Sequence, residues 1–119
     1  MRSGVGGVFL LAKLACGPAL AWEPSFDCEK ATQPDEYAIC ASQTLSALDR
    51  VIASAFSDLE LRFGRAHARQ VGGPLLEMRQ LCGGDVVCIE TAQRTAIDAY
   101  VAAGARISND QVAPEIFPE

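Results

Sequence analysis

Few residues of this 119-residue chain have the type and spacing for chemistry: five cysteines, one histidine and a few neighbouring carboxylates. Cys28 and Cys40 are separated by eleven residues, and Cys82 and Cys88 by five. A structural zinc site favours cysteines two to four residues apart, and a redox pair favours Cys-x-x-Cys. Neither spacing occurs here, so no metal is expected and disulfides are. Four cysteines allow three pairings. The local one, Cys28–Cys40 with Cys82–Cys88, is the expectation. The second pair flanks the turn Gly83-Gly84-Asp85, which brings two helix ends together, and the first would pin an irregular lead-in to a short helix. Loop closure makes each bridge worth about 2–3 kcal/mol.

The remaining candidates read as structural. Asp35-Glu36 follows Pro34, where a helix start favours negative charge. Asp58 and Glu60 lie two apart on a helical pattern, so they do not face each other. His67 sits among Arg62, Arg65 and Arg69, a basic group expected at a helix C-terminus. Asp49 and Arg79 are expected to form an ion pair between helices. Gly4-x-Gly6-Gly7 follows no strand, and Gly72-Gly73 and Gly83-Gly84 are turn signals rather than phosphate loops. With no triad, metal cluster, nucleotide loop or facing acid pair, the chain is expected not to be an enzyme and to need no cofactor.

Composition narrows the class. Hydrophobic residues make up 50% and charged residues 21%, which suits one globular domain and argues against a disordered chain. Ten basic and fifteen acidic residues give a net charge of −5, a poor footing for nucleic-acid binding. Residues 1–21 read as a secretory signal peptide: Arg2, an apolar run from Val5 to Ala12, Pro18, and the small-x-small site Ala19-Leu20-Ala21 before Trp22. Lys13 interrupts the apolar run. The alternatives are an uncleaved anchor and a lipidated Cys16. Cleavage after Ala21 removes Arg2, Lys13 and Cys16, leaving four cysteines and eight basic against fifteen acidic residues, a charge of −7. An even cysteine count fits an oxidising, periplasmic or secreted setting.

These residues need helices to hold them. Residues 22–33 lack periodicity. A short helix is expected over 34–40, and Ser42 is the candidate N-cap of the next. Leu45, Leu48, Ile52, Ala55, Phe56, Leu59, Phe63 and Ala66 then recur at steps of three and four, one apolar stripe of period 3.6. Gly72-Gly73-Pro74 is expected to end that helix. A short helix over 74–81, a turn capped by Asp85, and a helix over 86–106 follow, with 108–119 as a flexible tail. The expected fold is all-α: a small disulfide-stapled domain, residues 22–107, built on two longer antiparallel helices with short helices alongside.

Phe26-Asp27-Cys28, Ala31, Pro34, Glu36, Ile39-Cys40, Leu45 and Leu48-Asp49, continued by Leu76, Arg79, Cys82, Asp85, Cys88-Ile89 and Ile97, resemble the N-terminal domain of LprI-type lysozyme inhibitors. The resemblance spans about residues 26–100. It implies a small helical, disulfide-bonded, exported domain that binds protein, and in some members inhibition of lysozyme or a related cell-wall hydrolase. The family pattern commonly has Trp where Leu75 stands, Tyr where Gln93 stands and Arg where Ala96 stands. Two functions follow as expectations. One is a protein-binding domain that blocks a hydrolase cleft, with Asp35 and Glu36 on the candidate partner-binding surface. The other is an envelope-associated structural or interaction domain without lysozyme activity. No membrane span is expected after cleavage.

Overall fold

A computed structural model of the chain describes residues 22–107. The expected signal peptide at 1–21, with Cys16, and the expected tail at 108–119 lie outside the described residues. Within them the protein is all-α and carries two disulfides. A single 3-10 turn (Cys28–Lys30) precedes four helices: α1 (Pro34–Cys40), α2 (Gln43–Phe63), α3 (Arg65–Leu81) and α4 (Val86–Ala102).

Local chemistry sets most of the boundaries. Ser42 accepts from the Leu45 N–H and Asp85 from the Cys88 N–H, so each hydroxyl or carboxylate serves an N–H that the first turn leaves unpaired. At α1, Pro34 occupies the first turn, and Glu36 reaches back to the N–H groups of Thr32 and Gln33. The buried Ser46 hydroxyl donates to the Ile39 carbonyl near the end of α1.

The break between α2 and α3 falls at Gly64, not at Gly72-Gly73-Pro74. Gly64 has φ +96°, a conformation that favours glycine. Its N–H donates to Glu60 O and its carbonyl accepts from the Ala68 N–H, so one residue closes α2 and opens α3. Gly72-Gly73-Pro74 runs inside α3. Pro74 forgoes the helical bond to the Gln70 carbonyl. Gly72 serves packing instead: a Cβ there would stand 2.4 Å from the Tyr100 hydroxyl and 3.4 Å from the Phe56 ring.

The expected short helix over 74–81 is therefore the second half of a third long helix. Paired residues give the directions. Asp49 and Phe56 on α2 meet Arg79 and Gly72 on α3, so that pair is antiparallel. Leu45 and Asp58 on α2 meet Gln93 on α4 and Arg106 just beyond it, so α2 and α4 run parallel. The layout is up-down-up, with the antiparallel relation kept by helices adjacent in sequence. The core has two parts. Ile39, Leu45, Leu48, Val51, Ile89 and Ile97 fill the end nearer α1. Ala55, Leu59, Ala68, Ala96 and Tyr100 fill the other. Among the described residues, no helix is long and apolar enough to cross a membrane.

Candidate functional site

Three charged side chains from three helices meet at one end of the bundle. Arg79 of α3 donates through Nε to Asp35 Oδ2 of α1 at 2.6 Å, and its Nη1 lies 3.8 Å from Asp49 Oδ1 of α2. The expected Asp49–Arg79 pair is thus the longer arm of a triad, and Asp35 is the closer partner. Asp49 Oδ2 also accepts from the Ser25 N–H at 2.6 Å. Two further bonds tie the lead-in down: Trp22 N–H to Cys40 O, and Arg50 Nη1 to Glu23 O.

This geometry removes Asp35 from the expected partner-binding surface. Its side chain is 1% exposed and committed to Arg79. Glu36 is spent on the N-terminus of α1, and the N–H groups of Thr32 and then Gln33 hold its carboxyl below the ordinary carboxylate range. The Cys28–Cys40 segment is pinned, with Cα atoms 6.0 Å apart, but Asp35 is buried against Arg79 and Glu36 is bonded to its own helix start, which leaves Glu29 as the segment's exposed acid.

The second disulfide presents a different surface. Cys82 and Cys88 have Cα atoms 5.6 Å apart and clamp the last turn of α3 to the first turn of α4. Leu81 is 87% exposed and Val87 76%, with Val86 and Met78 about half-exposed. Glu77 and Asp85 are exposed charges in the same stretch. Leu61 on α2 is as exposed as Leu81; what sets this stretch apart is the grouping of Met78, Leu81, Val86 and Val87 around one cross-linked turn, since grouped apolar side chains, unlike single ones, mark contact surfaces.

At the opposite end, Asp58 accepts from Arg62 at 2.7 Å and from the Arg106 N–H at 2.8 Å. Arg62 first, then the Arg106 N–H, hold its carboxyl below the ordinary value. Glu60 pairs with Arg65 at 2.7 Å. Neither acid faces the other as a catalytic pair would. Because the helix breaks at Gly64, Arg65, His67 and Arg69 stand in the first turns of α3 and not at a helix C-terminus. His67 packs edge-on against Phe63, with ring centroids 5.5 Å apart. Among the described residues, no three His, Cys, Asp or Glu side chains converge to hold a metal ion.

Between α2, α3 and α4 lies a cleft of about 780 Å³. Ile52, Phe56, Leu75 and Ala96 supply apolar wall, and Asp49 and Arg79 stand at one end. The positions of Leu75, Gln93 and Ala96, where the chain departs from the pattern it resembles, all line this cleft. Sequence reasoning passed over it, because only packing brings those positions together. No family model matches the chain, and neither does any curated protein or solved structure.

Proposed function

We propose that the chain is an exported protein-binding domain that docks through the cross-linked turn at 78–87, and that its partner is a cationic cell-wall hydrolase of the lysozyme type. The exposure of Leu81 and Val87 on either side of the Cys82–Cys88 bridge carries this reading. Rigid apolar anchors lose little conformational entropy on binding, and burying them supplies the driving force for association. The charge of −7 expected after loss of residues 1–21 would steer a cationic partner toward the domain. A lysozyme cleft is concave and works through two carboxyl groups. A protruding apolar turn that fills it would exclude substrate without any chemistry of its own.

The test is a lysozyme turbidity assay with the oxidised chain at low and physiological salt. Dose-dependent inhibition that weakens with salt, and is lost in Leu81→Asp and Val87→Asp, is the expected result. No inhibition by the folded, oxidised chain overturns the lysozyme reading.

A second reading has its own support. Leu75, Gln93 and Ala96 replace the Trp, Tyr and Arg of the resembled pattern, which favours an envelope-associated interaction domain without lysozyme activity. On that reading the same turn engages a wall or membrane component. Leu81→Asp would then abolish enrichment of that component from an envelope extract while lysozyme remained fully active.

A further inference from the structure

The cleft between α2, α3 and α4 is charged at its two ends and apolar along its length. Because α2 and α3 run antiparallel about Gly64, Glu60 and Arg69 stand at one end, and Asp49 and Arg79 at the other. Over that distance α2 rises about 16 Å. Between the ends the walls expose apolar surface: Ile52, Phe56 and Leu75 are partly exposed, and Leu76 is about half-exposed. A half-open, mostly apolar cleft of about 780 Å³ has the size of a small-molecule site.

The two ends carry opposite surpluses. At the far end Arg79 faces two carboxylates, Asp35 at 2.6 Å and Asp49 at 3.8 Å. Its charge is spent, and one carboxylate is in excess. At the near end Glu60 is taken by Arg65 at 2.7 Å. Among the described residues Arg69 pairs with no carboxylate, so this end has one guanidinium in excess. An exposed arginine without a partner is ordinary on a surface. One that closes the end of an apolar cleft, opposite a surplus of the other sign, makes the cleft directional.

We infer that the cleft binds an anionic amphiphile, a medium-chain fatty carboxylate, with its head on Arg69 and its acyl chain along Phe56, Ile52, Leu75 and Leu76. A guanidinium donates two parallel N–H bonds to a carboxylate, a fit that a cationic or neutral head does not share. Burial of the chain against the apolar walls drives binding. The surplus carboxylate at the far end keeps the head from entering there. The negative charge of the whole molecule opposes an anion at long range, but physiological salt screens it beyond about 8 Å, while Arg69 acts at contact. The ligand's contacts lie outside the grouped apolar turn, so this site does not depend on the docking reading.

The test uses the oxidised full chain at physiological salt and the neutral fluorescent probe N-phenyl-1-naphthylamine, which reports occupancy of the apolar walls. Saturable binding with one site per chain is expected. Dodecanoate should displace the probe, and dodecyltrimethylammonium should do so at least tenfold more weakly, each below its micelle-forming concentration. Arg69→Met should weaken displacement by dodecanoate at least fivefold while leaving probe affinity within about twofold. Arg69→Glu should reverse the order of the two amphiphiles, a change that general loosening of the fold would not produce. Ala53→Trp should fill the cleft and weaken probe binding at least tenfold, with a cooperative melt as the check on folding. Where Ala53→Trp does not fold, Leu76→Asp, at a half-exposed position, puts a charge in the wall and serves the same purpose. The absence of saturable binding to the folded chain overturns the inference. So does probe binding that survives a folded cleft variant, dodecanoate displacement unchanged in Arg69→Met, or the cationic amphiphile competing as well as dodecanoate.

Discussion

Arg79 Nε stands 2.6 Å from Asp35 Oδ2, joining residues 44 apart in sequence and two helices that share no turn. Asp35 is almost fully buried, so Arg79 stands in the place that water would take at an exposed carboxylate. Removing one member of a buried pair leaves an uncompensated charge, which costs about 3–5 kcal/mol. Arg79→Met should fall in that range by denaturant unfolding. Double-mutant cycles should give Asp35–Arg79 a larger coupling than Asp49–Arg79, whose atoms are 3.8 Å apart. Arg79→Lys should rescue only part of the loss, since a single ammonium cannot reproduce the spread of Nε and Nη1. Zero coupling for Asp35–Arg79 would refute this account.

Three glycines should respond differently to alanine. Gly64 has φ +96°, and Gly64→Ala should cost about 1–3 kcal/mol through backbone strain. Gly72→Ala should also destabilise, because its methyl would enter the Tyr100 hydroxyl. Gly73 is helical and exposed, and beyond its chain neighbours a Cβ there would meet nothing within 4 Å. The ring of Pro74 crowds a Cβ on the helical residue before it, so Gly73→Ala should fall short of the about 0.5–1 kcal/mol gain of an ordinary helical site. Thermal melts of the three variants separate these outcomes, and a stabilising Gly64→Ala would contradict the helix break.

Acid should weaken the fold through Glu36 and Asp58. Both carboxyls are held below their ordinary values of 4.5 and 3.8, Glu36 by backbone N–H groups and Asp58 mainly by Arg62. On acidification the unfolded chain therefore takes up these protons before the folded one. Their contribution is complete above the ordinary values and is lost as pH falls through the lower folded values. Glu36→Gln and Asp58→Asn should each flatten the fall of Tm at low pH. At the alkaline side, burial raises the Tyr100 hydroxyl above its ordinary 10.0. Its contribution is complete below pH 10 and fades as pH rises beyond it, and Tyr100→Phe should flatten that limb.

The disulfides should contribute separately. Replacing Cys28 and Cys40 together, or Cys82 and Cys88 together, by serine should each lower stability by about 2–3 kcal/mol. The consequences for binding should differ. Loss of Cys82–Cys88 frees the turn that presents Leu81 and Val87, so it should reduce inhibition by more than the matching loss of Cys28–Cys40. Equal effects on inhibition at equal stability would argue against docking through that turn.

Much of the fold is legible in the sequence because its signals are local. Ser42 and Asp85 are the right residue types at the right offset from N–H groups that need them. The stripe from Leu45 to Leu59 follows one helix face. Gly64 hides in the same stripe, since a lone glycine reads as tolerated while Gly72-Gly73-Pro74 reads as a stop. What decides between them is Tyr100 against Gly72, a contact from another helix. The site was harder to read. Asp35 looks like a solvent-facing helix start until Arg79 arrives from α3. Gln93 is polar and falls outside any apolar pattern, yet packing buries it.

The parallel course of α2 and α4 places two like-signed helix ends side by side. Each C-terminus carries about half a negative charge, so the ends repel. Arg62, in the last turn of α2, donates both to Asp58 and to the Gly104 carbonyl just past α4. Asp58 offsets the charge of Arg62, so what Arg62 brings to the two ends is the geometry of its guanidinium donors, which tie the close of α2 to the carbonyl just past α4.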